Sequence, residues 1–95
     1  MTKTLALVGI VAVIVSGCSS DKGESYRFGH DEEVLMASTM WKASRYAPQL
    51  YPEIQSQRDA CEFATKTDAD NGLPGLKGLD LDDVIDGCAD AMEGR

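Results

Sequence analysis

Three kinds of side chain in this sequence are able to do chemistry: the thiols of Cys18, Cys61 and Cys88, a crowd of carboxylates near the end of the chain, and one imidazole, His30. The carboxylates are Asp80, Asp82, Asp83, Asp86, Asp90 and Glu93, and four of them, Asp83, Asp86, Asp90 and Glu93, recur at three- and four-residue steps. On a helix that spacing lines up like charges, which costs a few tenths of a kcal/mol per pair. Such a face is solvated, or it is compensated by a cation or a basic partner. Catalysis has little to build on. The single histidine, His30, stands at the junction of linker and domain, no glycine-rich phosphate loop is present, and two cysteines without a neighbouring histidine do not make a zinc site. The expectation is a protein with no catalytic residues, no small-molecule substrate and no metal centre.

The chain has 95 residues, enough for one domain. Nine basic side chains against sixteen acidic ones give a net charge of −7, a field that repels phosphate backbones and argues against nucleic-acid partners. The first seventeen residues differ from everything after them. One charge, Lys3, precedes an apolar run from Leu5 to Val15, followed by the small pair Ser16-Gly17. That run has the length of a signal-peptide core, about 7 to 15 residues, and is short of the roughly 20 needed to span a bilayer.

Val15-Ser16-Gly17-Cys18 resembles the lipobox of bacterial lipoproteins, an aliphatic residue and two small ones before a cysteine. The resemblance implies that residues 1–17 are a signal peptide cut between Gly17 and Cys18. It also implies a diacylglyceryl group on the Cys18 thiol, commonly with a further acyl chain such as palmitate on the new amino terminus. The covalent lipid would be the only prosthetic group, and its partner would be membrane lipid on the extracytoplasmic side of the cell membrane. Two or more chains suffice for stable anchoring where one does not.

Loss of residues 1–17 removes only Lys3, leaving eight basic and sixteen acidic side chains and a net charge of −8. Residues 18–29 read as the lipidated cysteine and a flexible linker, since Ser19 to Ser25 is small, polar and without periodicity. Residues 30–95 read as a small all-α, three-helix domain. Asp31 caps the expected first helix, which should end near Tyr46 because Pro48 disfavours helical backbone before it. Val34, Met36, Ala37, Met40 and Trp41 leave that helix apolar around most of its circumference. Pro52 suits the first turn of a second helix, predicted over residues 52–66. Residues 67–78 are dense in turn formers and should form a loop. Asp80 then caps a third helix whose Leu81, Val84, Ile85, Cys88 and Met92 make a clear amphipathic stripe.

Cys61 and Cys88 both fall on inward faces of their helices. Paired cysteines outside the cytoplasm favour a disulfide, and closing this loop contributes about 3.5 kcal/mol by the chain-entropy argument. The segment holding Cys61-Glu62-Phe63-Ala64, Pro74-Gly75, Asp80, Asp82, Asp83 and Cys88-Ala89-Asp90 is similar to the excalibur calcium-binding domain. That likeness implies calcium held by Asp80, Asp82 and Asp83, although Val84 and Ile85 stand where a calcium loop wants a glycine turn. In plan the chain is also similar to very small lipoproteins that act in phage superinfection exclusion or immunity by blocking an envelope protein. That plan implies an envelope protein as partner, with Met36, Met40, Trp41, Asp86 and Asp90 as candidate contacts. The alternative is a structural lipoprotein whose acidic face holds cations or the cell wall.

Overall fold

The computed structural model describes residues 18–95, with side chains from Gly23 onward. The expected signal peptide, the cleavage site at Gly17 and the Cys18 thiol lie outside the described residues and side chains. Helix α1, Cys18–Phe28, runs through a π-helical segment, Gly29–Glu33, directly into α2, Val34–Tyr46. These three pieces form one long rod. Helices α3, Gln57–Asp70, and α4, Leu81–Met92, pack against it, and no strand occurs among the described residues. The domain is all-α with three helical bodies.

Local signals set most of the ends. The rod stops at Tyr46, where Ala47, held ahead of Pro48, adopts φ −136° and ψ 73°. Asp80 caps α4, its carboxylate accepting from the backbone N–H groups of Asp82 and Asp83 at 3.0 and 3.2 Å. Helix α3 begins at Gln57, five residues later than Pro52 suggests. Ser56 is its cap, accepting from Asp59 N–H at 3.0 Å, while the Asp59 carboxylate reaches back to Gln55 N–H at 2.9 Å. This reciprocal pair outweighs the weaker preference of Pro52 for a first turn. The residues between become a connection that delivers Ile54, 1% exposed, into the core.

A second difference lies at the start of the chain. Residues 18–29, expected as a flexible linker, are helical from Cys18 to Phe28 and part of the packed body from at least Ser25. Ser25 is buried, and its hydroxyl accepts from the backbone N–H of Asp80 at 2.9 Å. The Tyr26 hydroxyl donates to Asp90 at 2.6 Å. Tertiary contacts therefore supply the helix that local composition does not encourage. Asp31 is correspondingly not a cap, since the rod passes through it, and its carboxylate instead pairs with the His30 ring at 3.0 Å.

Small side chains dominate the interior. Ala37, Ala60, Ala64 and Ala89 surround the buried Cys61–Cys88 disulfide, whose Cα atoms are 5.8 Å apart, and Ile54 and Ile85 complete the cluster. The closest approach is between the rod and α4. A Cβ atom on Gly29 would overlap the Val84 carbonyl, and one on Gly87 would overlap the Tyr26 carbonyl. The two backbones lie directly on one another, each glycine opposite a main-chain carbonyl of the other helix.

Adding a methyl group at either glycine must spread this crossing, and overpacking of a tight core costs about 1–3 kcal/mol. Gly29→Ala and Gly87→Ala should each lower the thermal midpoint by roughly 8–20 °C for a domain of this size. Gly23, on the same rod, has nothing near its missing Cβ. Gly23→Ala should therefore raise stability by about 0.5–1 kcal/mol through helix propensity. Thermal unfolding followed by circular dichroism checks both signs.

Candidate functional site

Four-residue steps along a regular helix turn the facing side by about 40° each, because each residue advances about 100°. Ser25, Gly29, Glu33 and Ala37 are nevertheless all buried along the rod. The π segment makes this possible. The Val34 N–H reaches back five residues to the Gly29 carbonyl, and this wider turn offsets the drift. Its consequence is to carry Glu33, an acidic side chain, into the row that faces the other helices, where it is only 2% exposed.

Asp68, on the last turns of α3, stands within hydrogen-bonding reach of the Glu33 carboxyl. The Glu33 Oε2 atom is buried without a hydrogen-bond partner. Burial pushes the Glu33 carboxyl up to about 8 from its ordinary 4.5, and the neighbouring Asp68 carboxylate pushes it the same way. Both effects favour the protonated form of the Glu33 carboxyl at neutral pH.

The end of α3 places Asp68 and an apolar neighbour together. Gly72 takes φ +74°, a conformation that glycine adopts without strain. The Leu73 N–H then bonds to the Asp68 carbonyl at 2.9 Å and the Gly72 N–H to the Ala69 carbonyl at 3.0 Å, the paired bonds of a Schellman stop. Leu73 is thus held out from the helix end at 39% exposure. Across from it the rod presents Leu35 and Met36, 67% and 40% exposed. Phe28 lies over Gly75, where a Cβ would come within 2.7 Å of its ring.

These side chains enclose a groove of about 380 Å³ with Phe28, Leu35, Met36 and Leu73 as its apolar walls. Glu32, Glu33 and Asp68 also line it, and among the described residues no lysine or arginine does. Leu73 divides it from a second depression of about 310 Å³, bordered by Leu79 and Leu81. A groove of this kind, apolar with a few convergent polar groups, has the composition of a binding site.

The residues singled out from the sequence are distributed differently. Met36 lies on this groove. Met40 and Trp41 instead pack against the core cluster, and the Arg45 guanidinium covers the Trp41 ring at 4.6 Å from its centroid. Asp86 accepts from Arg58 at 2.7 Å. Asp90 accepts from Tyr26 and lies 3.1 Å from Arg95, which also pairs with Glu93. Much of the acidic face of α4 is compensated within the molecule. Asp80, implied as a calcium ligand by the excalibur likeness, has a structural role in the fold. Asp80 Oδ1 is engaged as the cap of α4, and among the described residues no group of three or more His, Cys, Asp or Glu side chains is arranged to hold a metal ion.

Glu33, Asp68, Leu35 and Leu73 were not read from the sequence as site residues. The available signal was the row Ser25, Gly29, Glu33, Ala37, in which a glutamate takes a position otherwise occupied by small residues. Comparison with protein families, with curated proteins and with solved structures gives no match to this chain.

Glu33 makes the fold sensitive to pH in a defined direction. Its unfolded-state carboxyl ionises near 4.5 and its folded-state carboxyl near 8, so between these values the folded form binds the extra proton. Stability from this group is fully present below about pH 4.5 and is lost as pH rises toward 8. His30, raised by its hydrogen bond to Asp31, acts in the same direction at the surface. Glu33→Gln retains a donor toward Asp68 without a titrating proton. The variant should melt at a higher temperature than the parent at pH 8, with the difference vanishing near pH 4.5, in a series of thermal melts across that range.

Proposed function

We propose that this chain is a lipid-anchored, extracytoplasmic protein whose helical domain binds an envelope protein through the groove between α2 and the end of α3, occupying or blocking that partner. The observation that carries the reading is the cluster of exposed apolar side chains, Leu35, Met36 and Leu73, around one concave surface of a small acidic domain. Exposed apolar groups that converge on one concavity mark contact surfaces more often than scattered ones do. Trp41, by contrast, serves the core.

The anchor rests on Val15-Ser16-Gly17-Cys18 and the apolar run before it. Among the described residues no helix is long and apolar enough to cross a membrane. In this reading the attachment is the acyl chains on Cys18, and confinement to a surface raises the effective concentration of any partner in the same membrane. Helix α1 as described runs from Cys18, so in this reading an acyl group on Cys18 would sit on the same helical body that carries the groove. The groove is then presented at a restricted distance from the bilayer. Blocking a neighbouring envelope protein, as in phage superinfection exclusion or immunity, is a task such an arrangement suits.

Two measurements test the halves of this reading. The intact mass of the protein from the membrane fraction should show loss of residues 1–17 and added acyl mass on the new amino-terminal cysteine. It should also rise by about two daltons on reduction, as expected for one intrachain disulfide; an unlipidated mass from the culture fluid would remove the anchor. For the surface, the double substitution Leu35→Asp and Leu73→Asp should abolish in-cell cross-linking to the membrane partner of the parent protein while the helical circular dichroism is kept. Reversing Asp86 and Asp90 to lysine should leave the cross-link in place, and its loss there instead would favour the acidic face of α4 as the contact surface.

A further inference from the structure

The groove is apolar in its walls and acidic at its base, and this combination restricts what can fill it. A purely apolar segment would bury the Asp68 and Glu32 carboxylates without an opposite charge, and an uncompensated buried charge is strongly unfavourable. An anionic segment would add like charge to a chain already at net −7. A cation carried on an apolar stem meets both requirements, the stem lying along Phe28, Leu35 and Met36 and the head reaching the carboxyl groups. Among the described residues no lysine or arginine lines the groove.

Deepening the binding role proposed above, and resting on it, we propose that the groove receives an arginine side chain of the protein partner, set among apolar residues, with its guanidinium on Asp68 and Glu33. Two adjacent carboxyl groups match the planar fork of a guanidinium, which donates in two parallel directions, better than they match the point charge of an ammonium. The Glu33 Oε2 atom, buried and lacking any hydrogen-bond partner, supplies an acceptor that the folded domain itself leaves unused. The wide π turn over Gly29–Glu33 brings Glu33 to this position, a device that breaks regular helical bonding and recurs at functional sites.

The experiment uses the full chain in nanodiscs of zwitterionic lipid, with labelled leucine and methionine methyl groups, titrated with hexylguanidinium and, separately, with hexanol and hexanoate. Hexylguanidinium should shift the Leu35, Met36 and Leu73 methyl signals saturably and bind at least tenfold more tightly than either of the other two. Asp68→Asn and Glu33→Gln should each reduce that preference severalfold, with the helical spectrum and the disulfide intact, and the double variant should abolish it. Equal responses to hexanol and hexylguanidinium would overturn the proposal, as would a preference that survives the double variant or a guanidinium response confined to α4. If the cation preference is absent but Leu35→Asp with Leu73→Asp still abolishes partner cross-linking, the arginine is withdrawn and the groove remains the contact surface. If neither effect is seen, both readings fall.

Discussion

The structure depends on two helices approaching until their backbones touch. Gly29 and Gly87 each face a main-chain carbonyl of the opposing helix, Val84 and Tyr26 respectively, with no room for a β-carbon. Close packing at this crossing gathers the remaining ties around it. Ser25 accepts from the first N–H of the α4 cap region, Tyr26 donates to Asp90, and Arg95 returns to Asp90 and Glu93. A domain with an alanine-rich interior has few large side chains to bury, so contact area must come from proximity. Dispersion between atoms is individually small and collectively large only when gaps are removed.

The disulfide complements that close packing by joining α3 to the same helix. Cys61 and Cys88 join α3 to α4 within the alanine cluster, so α4 is held covalently on one flank and by backbone contact on another. Small domains commonly need such a staple because their cores give little margin. The division of labour leaves the opposite end, where α2 meets the end of α3, free of covalent restraint. That is where the groove opens and where the apolar side chains remain exposed.

A buried carboxyl is an expense in a fold this small, and its placement is a consequence of the same crossing. With Gly29 seated on α4 and Ala37 in the core, the residue midway between them on the rod faces inward, and that residue is Glu33. Regular helical geometry would rotate it partly away; the π turn does not. A raised carboxyl that keeps its proton carries no charge into the interior, and among the described residues its Oε2 atom has no hydrogen-bond partner. Fold and groove chemistry are thus two results of one backbone irregularity.

Much of this molecule is written locally. The helical class, the stop before Pro48, the Asp80 cap and the inward stripe of α4 follow from short-range patterns, because capping and amphipathic spacing act over one or two turns. The pairing of Cys61 with Cys88 follows from parity and face, and the resemblance at Val15-Ser16-Gly17-Cys18 is likewise a matter of adjacent residues. Other features were decided only when the helices met. Ser19 to Ser25 has the composition of a tether, yet from Ser25 the chain is part of the packed body, since a buried hydroxyl and a backbone crossing outweigh weak propensity. Trp41 has the identity of a contact residue and the position of a core one. Glu33 and Asp68 lie thirty-five residues apart in the chain, and neither signals the other. Their meeting depends on a π turn and a Schellman stop, whose conformations pay off only against a neighbouring helix, and that is the physical reason local sequence cannot announce them.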